Sequence, residues 1–353
     1  MLEDSVDPAM LRHHGDVEAR PGMLDFAVNV QGLAPPRWLR ERLAARLTDL
    51  GRYPSADDEH AARTAVAARH GRSPDEVLLL AGAAEGFAML PRLASRLAAV
   101  IHPSFTEPEL ALREADVAVT RVILERPYTL DPALVPEDAD LVVVGNPTNP
   151  TSILHPAATM RALRRPGRII VVDEAFADAV VGGRAPTDAA EPESLAGLSA
   201  PDVVVLRSLT KTWALAGLRC GYALGAPEVL ARLAHGRPHW PLGTLQLEAI
   251  IATAEPVAVA ESRRHAHRIA ADRAAMIDRL TALGLDVHTP ATGPFLLLRV
   301  PDGALLRKRL ADRGIAVRRA DTFPGLGPDH LRVAVRGTAE VDRLIDALNA
   351  ALW

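Results

Sequence analysis

The chain has 353 residues, of which 48% are hydrophobic and 4% aromatic, and its formal net charge is −4. This length suffices for one large domain and a smaller one, and the apolar fraction suffices for a sizeable core. The slightly negative charge argues against a nucleic-acid partner, and the single cysteine excludes a disulfide framework and a metal site built from several cysteines, so no metal ion is predicted.

The N-terminal part of the chain shows no targeting signal. Residues 1–7 are acidic and lack the apolar stretch of a signal peptide. No apolar run in the sequence reaches membrane-spanning length, so a cytoplasmic protein without a membrane partner is predicted. A first amphipathic helix is expected to begin near Pro35 and Pro36, because proline fits the first turn of a helix.

Strands and helices alternate through the middle of the chain. Short runs of valine, leucine and isoleucine are typical of strands buried on both faces, and they lie at 77–81, 98–101, 117–124, 141–144, 169–172 and 203–206. Helical patterns separate several of them, at 61–70, 85–97 and 156–165. This alternation predicts an α/β domain with a mostly parallel central sheet covered by helices.

After about residue 240 the pattern changes to a smaller α+β arrangement. A helix-rich stretch covers 245–283, and it is followed by a strand at 294–300, a helix at 305–313, strands at 315–318 and 331–335, and a closing helix at 339–352. We therefore expect an N-terminal segment (1–45) that joins the small domain, a large cofactor-binding domain (46–240) and a small C-terminal domain (241–353).

Lys211 is the most informative residue of the sequence. Of the 40 basic residues only Lys211 and Lys308 are lysines, and an amine, unlike a guanidinium, can lose its proton and attack a carbonyl. Lys308 lies in an arginine-flanked amphipathic helix, where a solvated lysine is expected. Lys211 follows a buried strand directly, which favours a chemical role over a stray surface position.

Other polar groups also follow predicted strands. The small residues of Ala81-Gly-Ala-Ala-Glu85 open a helix and would let backbone N–H groups approach an anion, or simply form a turn. The Asn146-Pro-Thr-Asn-Pro-Thr151 turns would aim an amide at a ligand, or form an ordinary loop. Asp173 ends a strand, where α/β sheets bind ligands, although it would also suit a helix cap. Ser208, Thr210 and Arg219 add two hydroxyls and a guanidinium.

Together these groups match the needs of one cofactor. A phosphorylated aromatic aldehyde requires a helix N-terminus, hydroxyls and an arginine for its phosphate, and an amine for a Schiff base. It also requires a carboxylate that keeps its pyridine nitrogen protonated, so that the ring accepts electrons. Phe105 offers an aromatic face for the ring. The predicted cofactor is pyridoxal phosphate.

The motifs resemble those of the fold-type I pyridoxal-phosphate enzymes of the class I/II aminotransferase superfamily, over nearly the whole chain. Ser-Leu-Thr-Lys211-Thr, followed by Ala-Gly-Leu-Arg219-Cys-Gly-Tyr, is similar to the superfamily's lysine motif. Asn-Pro-Thr-Asn-Pro-Thr and Asp-Glu-Ala-Phe precede it in the expected order.

Within the superfamily, the chain is most similar to the branch of histidinol-phosphate aminotransferase and the threonine-phosphate decarboxylase of cobalamin synthesis. His14-Gly15-Asp16, followed by Leu-Asp-Phe-Ala-Val-Asn29, resembles the decarboxylase's opening, in which His-Gly-Gly precedes Asp-Phe-Ser-x-Asn. Residues 317–326 and 331–336 also look like this branch, as does Arg-Tyr53-Pro.

The resemblance implies a role for each candidate residue. Lys211 would form the Schiff base, and Asp173 would pair with the pyridine nitrogen. The remaining cofactor contacts would be Asn149 at the ring O3′, Phe105 stacked on the ring, and Ala83, Ala84, Ser208, Thr210 and Arg219 at the phosphate. Tyr53 of the partner subunit would complete the phosphate site, which implies a homodimer with a shared active site.

The resemblance also implies the substrate contacts. Arg332 would bind a carboxylate of a small-molecule substrate, and a substrate phosphate would be met by Arg318, His14 and Asn29. The alternative for both arginines is a solvated position on an edge strand. Three departures from the family pattern stand out: Phe176 replaces a common tyrosine, Ser152 replaces a turn glycine, and Val30-Gln31-Gly32 replaces an Asn-Pro turn.

Two reactions remain open. Decarboxylation of O-phosphothreonine and transamination of histidinol phosphate with 2-oxoglutarate differ in which α-carbon bond stands perpendicular to the cofactor ring. The His-Gly-Asp opening favours the decarboxylase. A catalytically inactive fold relative is a remote alternative, because Lys211, Asp173, Asn149 and Arg219 are all present. Neither a dinucleotide fingerprint nor a P-loop occurs.

Overall fold

The computed structural model describes residues 7–182 and 190–352. The described residues form these strands: β1 (Leu24–Asp25), β2 (Val77–Leu80), β3 (Leu97–His102), β4 (Ala118–Ile123), β5 (Leu141–Gly145), β6 (Ile169–Asp173), β7 (Val203–Ser208), β8 (Gly221–Leu224), β9 (Asp286–Val287), β10 (Phe295–Arg299), β11 (Ile315–Ala316), β12 (Arg318–Arg319) and β13 (His330–Ala334).

The α-helices of the same residues are α1 (Pro8–Leu11), α2 (Arg37–Ala45), α3 (Ala56–His70), α4 (Ala83–Met89), α5 (Glu107–Glu114), α6 (Ala157–Ala162), α7 (Pro227–Ala234), α8 (Thr244–Ala254), α9 (Pro256–Ala282), α10 (Gly303–Ala311) and α11 (Thr338–Leu352). None of the helices in the described ranges is both long and apolar enough to cross a membrane.

A seven-stranded sheet forms the centre of the larger part, in the order β2-β8-β7-β6-β5-β3-β4. All neighbouring strands are parallel except β8, which runs antiparallel to both β2 and β7. Each of the apolar runs identified in the sequence forms one of these strands, and β2, β7 and β8 are buried along their whole length. The predicted α/β class with a mostly parallel sheet is confirmed.

The sequence pattern misses β8 and misplaces one helix. Residues 221–224 are too short a run to stand out beside the lysine motif, yet they form the antiparallel strand of the sheet. The helix expected at 85–97 ends at Met89 instead. A 3₁₀ turn at Leu90–Leu93 follows, and Ala94 has a left-handed φ of 52°. Pro91 lies inside that turn and lacks the N–H that would continue an α-helix.

A second, four-stranded antiparallel sheet has the order β12-β13-β10-β9. The strand expected at 315–318 is divided between two sheets, because β11 pairs in parallel with β1 while β12 pairs with β13. Through this pairing Phe26, just after β1, is fully buried in the core of the C-terminal part.

The expected domain limits remain a proposal, and their extreme residues, 1–6 and 353, lie outside the described residues. Two contacts bear on the limits. Leu39 on α2 packs into the core of the large sheet, although β1 joins the C-terminal part. Leu247 and Ile250 on α8 also belong to the large core. The chain therefore passes between the two parts near both proposed limits.

Candidate active site

A cavity of about 360 Å³ lies where the carboxyl ends of the parallel strands meet the C-terminal part and the N-terminal segment. Asn149 follows β5, Asp173 ends β6, and Ser208 ends β7. Parallel strands bring such ends to one edge of a sheet, where α/β proteins bind ligands. Arg318 and Arg332 enter the cavity from the four-stranded sheet.

Every candidate site residue except Tyr53 lines this cavity. These residues are His14, Asn29, Ala83, Ala84, Phe105, Asn149, Asp173, Ser208, Thr210, Lys211, Arg219, Arg318 and Arg332. Their roles remain predictions, but the fold brings them together from widely separated positions between His14 and Arg332. Tyr53 lies elsewhere, 75% exposed, with its ring stacked 4.3 Å from that of Trp240.

The Lys211 amine is poised to lose its proton. Burial lowers the pKa of Lys211 to about 8, and the positive charges of Arg332 and Arg219 act in the same direction, while Asp173 opposes them. The backbone around the lysine is tied to the N-terminal segment, because Gln31 N–H donates to the Lys211 carbonyl at 2.9 Å. An amine in this state suits both attack on a carbonyl and proton transfer.

Asp173 does not cap a helix. Its Oδ1 accepts the Ala175 N–H at 3.0 Å in a tight turn, and the following 3₁₀ turn begins only at Ala177. Burial raises the pKa of Asp173 to about 6, and Glu174 raises it further, against the effect of Lys211. A cationic ring nitrogen beside this carboxylate would favour its charged form.

The start of α4 and the end of β7 form a cradle suited to a phosphate. Gly82 has a φ of 82°, and a Cβ there would lie 2.8 Å from an Arg219 guanidinium nitrogen, so glycine lets the arginine approach the helix start. The Ser208 and Thr210 hydroxyls hydrogen-bond each other at 2.7 Å. A guanidinium, two hydroxyls and the first N–H groups of a helix suit a phosphate dianion.

Arg332 is not a solvated edge arginine. It lies on β13, between β12 and β10, and is 5% exposed. Its Nη1 donates to Asn149 Oδ1 at 2.6 Å, and its Nη2 donates to the Ala27 carbonyl. Burial lowers the pKa of Arg332 to about 9, so it remains a cation at neutral pH. With Asn149 Oδ1 occupied, the amide nitrogen of Asn149 is left to donate to a ligand.

Arg318 is also buried, and it clamps the N-terminal segment. Its Nη2 donates to the His13 carbonyl at 2.7 Å and to Thr322 Oγ1 at 2.6 Å. Its guanidinium carbon lies 5.0 Å from the centre of the Phe323 ring. Burial lowers the pKa of Arg318 to about 10. The solvated alternative therefore fails for this arginine too, although much of its hydrogen-bonding capacity is used inside the protein.

His14 and Asn29 also line the cavity. His14 Nε2 lies 2.5 Å from Glu107 Oε1, and its ring is 5.4 Å from that of Phe105. Asn29 is buried, and its Oδ1 has no hydrogen-bond partner within residues 7–182 and 190–352. Phe176, which replaces a tyrosine of the family pattern, packs edge-on against Phe295 at 4.9 Å.

Sequence reasoning assigned no role to Phe323 or to Asp16, which also line this cavity. Phe323 packs against Arg318 in the cavity. Its place in the Thr-Phe-Pro-Gly motif, which resembles the family branch, was the sequence signal that could have identified it. Asp16 lines the cavity beside Gly15 and was quoted only as part of the opening motif. The departure from His-Gly-Gly at this residue was the signal that would have singled it out.

Known proteins resemble this chain along almost its whole length. Residues 21–348 match the family model described as aminotransferase class I and II. A Mycobacterium tuberculosis protein named histidinol-phosphate aminotransferase is 57% identical over 94% of this chain and 89% of its own length. The threonine-phosphate decarboxylase of Salmonella typhimurium is 29% identical over 94% of this chain and 91% of its own.

A solved structure supports the same fold. The histidinol-phosphate aminotransferase from Clostridium acetobutylicum superposes with a TM-score of 0.83, over 93% of this chain and 98% of that chain, at 22% identity. At this identity the likeness concerns the fold alone.

Proposed function

Because this chain belongs to the class I and II aminotransferase family and depends on pyridoxal phosphate, we propose that it transfers an amino group between histidinol phosphate and 2-oxoglutarate. The observation that carries the proposal is the extent of the likeness to the mycobacterial relative of that name, which far exceeds the likeness to the decarboxylase. The sequence motifs favoured the decarboxylase, so the order of the two candidates is reversed.

The residues around the cavity fit this cofactor. Lys211 would hold it covalently, and Asp173 would meet its ring nitrogen. The cradle of Ser208, Thr210 and Arg219 would hold its phosphate. The fit is supported by the close approach that Gly82 allows and by the unoccupied donor of Asn149. When bound, pyridoxal phosphate supplies an electron sink that weakens one bond at the α-carbon of the substrate.

Lys211 would carry the proton in the transamination. Its Nζ would take the proton from the α-carbon of the substrate and hold it for the second proton transfer of the reaction. A general base is most effective when its pKa lies near the working pH, and a pKa of about 8 meets that condition. Asp173 would remain ionised and hold the positive charge of the ring nitrogen in place.

Arg332 and Arg318 would orient the substrate by its phosphate. Histidinol phosphate has an amine, a phosphate and an imidazole but no carboxylate, so its phosphate is the anionic group that the arginines would bind. Both guanidinium groups remain cationic despite burial. Lys211 lines the same cavity as the two arginines. A phosphate bound by the arginines would therefore direct the amine of the substrate toward Lys211.

Decarboxylation of O-phosphothreonine is the second candidate. The observation that favours it is the place of His14 and Gly15, which resemble the decarboxylase's opening and line the cavity. This substrate carries both a carboxylate and a phosphate, and two buried arginines would bind one each. Loss of CO₂ then requires the carboxylate bond, rather than the α-hydrogen bond, to stand perpendicular to the ring.

A product assay separates the two reactions. The purified enzyme is given histidinol phosphate with 2-oxoglutarate, and glutamate is measured. In parallel it is given O-phosphothreonine, and CO₂ and aminopropanol phosphate are measured. The proposal expects glutamate from the first reaction and no CO₂ from the second. Release of CO₂ without any glutamate would replace the transaminase with the decarboxylase.

A further inference from the structure

Among residues 7–182 and 190–352, four cationic side chains but only two carboxylates line the cavity. Lys211, Arg219, Arg318 and Arg332 supply positive charge. The carboxylates are Asp173 and Asp16. In the proposed function Asp173 faces the cofactor ring. Asp16 is therefore the acidic group of this wall that the reaction does not use.

The backbone around Asp16 is held from both sides. Asp16 lies in a 3₁₀ turn, Gly15–Val17, closed by the Glu18 N–H donating to the Gly15 carbonyl at 3.2 Å. Gly15 packs tightly, because a Cβ there would lie 2.4 Å from the Ala27 carbonyl oxygen and 3.4 Å from Arg332 Nη2. Only glycine allows this close approach, which sets the position of the next residue.

The residues before this turn are also anchored. Arg318 donates to the His13 carbonyl at 2.7 Å, and His14 contacts Glu107 at 2.5 Å. Arg318 and Glu107 of α5 thus anchor the segment that presents Asp16. The aspartate is held at the wall of the cavity and is not part of a loose terminal arm.

The Asp16 side chain is left available to a ligand. It is exposed, and within residues 7–182 and 190–352 it makes no side-chain hydrogen bond or ion pair. Its charge reaches the reacting amine: burial, Arg332 and Arg219 lower the pKa of Lys211, whereas Asp173 and Asp16 act to raise it. Asp16 and Lys211 line the same cavity, so a substrate whose amine lies beside Lys211 would have Asp16 near it.

We propose that Asp16 selects the substrate by accepting an N–H from the imidazole of histidinol phosphate. This inference rests on the proposed function and deepens it. The three arms of histidinol phosphate would each meet a matching group: the amine meets Lys211, the phosphate meets the arginines, and the imidazole meets Asp16. O-phosphothreonine has a methyl group in place of the imidazole, so it donates no hydrogen bond to Asp16.

The test compares substrates with and without the imidazole. The wild type, Asp16→Asn and Asp16→Ala are assayed with histidinol phosphate and with phenylalaninol phosphate, in which a phenyl ring replaces the imidazole. Asp16→Ala is expected to lower the ratio of the two kcat/KM values by about 10- to 100-fold, as for loss of a hydrogen bond to a charged group. Asp16→Asn keeps an acceptor oxygen and is expected to lie between. Asp346→Asn, an exposed aspartate on α11, is the matched control and should keep the wild-type ratio.

A second readout does not depend on turnover of the competing ligand. O-phosphothreonine, which lacks the imidazole, is used as an inhibitor of histidinol phosphate conversion, and both Asp16 variants are expected to bind it about as tightly as the wild type. An equal loss of kcat/KM for both ring substrates, or an unchanged ratio, would overturn the inference while leaving the proposed function standing. A wild type that converts no histidinol phosphate would overturn the proposed function and, with it, the role of Asp16.

Discussion

At the scale of single residues, the proposed chemistry depends on one amine. Lys211 lies in a cavity with three arginines, and burial brings its pKa down to about 8. The other lysine of the chain, Lys308, is exposed on α10. The two lysines therefore provide a direct comparison between a buried and a solvated amine.

Lys211→Arg is expected to abolish turnover and leave the fold intact, because a guanidinium does not form the covalent bond to the cofactor aldehyde. The wild type should be yellow, and borohydride should fix the cofactor on the peptide that contains Lys211. Lys308→Arg is the control and should retain both colour and activity. Full activity in a colourless wild-type protein after exhaustive removal of pyridoxal phosphate would contradict the whole assignment.

Asp173 should make the free energy of unfolding of the cofactor-free protein depend on pH. Its folded pKa of about 6 lies above the usual value of 3.8, so the cofactor-free folded protein holds this proton more tightly than the unfolded chain does. The stability that Asp173 contributes is complete below about pH 4 and is lost as the pH rises through about 6. At neutral pH the buried carboxylate thus destabilises the cofactor-free protein.

Asp173→Asn should consequently raise the free energy of unfolding of the cofactor-free protein at pH 7.5, by about 1–2 kcal/mol, which allows for solvent in the cavity. The gain should shrink as the pH falls toward about 5. Urea unfolding at several pH values measures this effect, while the activity of the cofactor-loaded variant should drop sharply. A gain that is independent of pH, together with near-normal turnover, would reduce Asp173 to a turn residue.

At the scale of elements, Ser152 ties the loop after β5 to the segment before β10. It has a left-handed φ of 64°, and its Oγ accepts the Gly293 N–H at 2.7 Å. Its carbonyl also accepts the Thr292 N–H at 2.9 Å. The family pattern has glycine at this turn, and glycine adopts a positive φ without strain. Serine at this position is strained, but its hydroxyl adds a hydrogen bond between the two parts of the chain.

Ser152→Ala is expected to lower the free energy of unfolding by about 1–3 kcal/mol, because the buried Gly293 N–H loses its acceptor while the strained φ is kept. Ser152→Gly loses the same hydrogen bond but relieves the strain, so its loss should be smaller. Chemical denaturation of both variants measures the difference. Equal losses would show that the left-handed backbone costs little at this position.

At the scale of the whole molecule, Tyr53 suggests a shared active site. Its ring is exposed and stacks on Trp240, which is itself 56% exposed, and neither lines the cavity of its own chain. We expect a homodimer in which Tyr53 of the partner subunit reaches the cofactor phosphate. Light scattering at assay concentration should give the mass of two chains.

A mixing experiment tests the sharing directly. Lys211→Arg and Tyr53→Ala subunits should each be nearly inactive alone. Their heterodimer would contain one site with both changes and one with neither, so mixing after partial unfolding and refolding should restore activity. If no activity returns although heterodimers form, Tyr53 acts within its own subunit or only in local packing.

Much of the fold could be predicted because its signals are local. Runs such as 141–144 and 203–206 are apolar without alternation, as strands covered on both faces require, and each forms a strand of the large sheet. The candidate site could be predicted for a related reason. Side chains that follow parallel strands, such as Asn149, Asp173 and Lys211, must come together at one sheet edge.

What only the tertiary structure decided depends on contacts between remote parts of the chain. Residues 315–319 are divided between two sheets because β11 pairs with β1 and β12 pairs with β13. No local sequence pattern predicts either pairing. Arg318 and Arg332 are buried because the N-terminal segment folds over them, which the sequence alone left open as solvated positions. The same segment places Asp16 in the cavity. The sequence by itself thus determined the parallel strands and the sheet edge that carries the proposed site, because these signals are local, whereas the wall formed by the N-terminal segment and the two arginines arose from long-range packing.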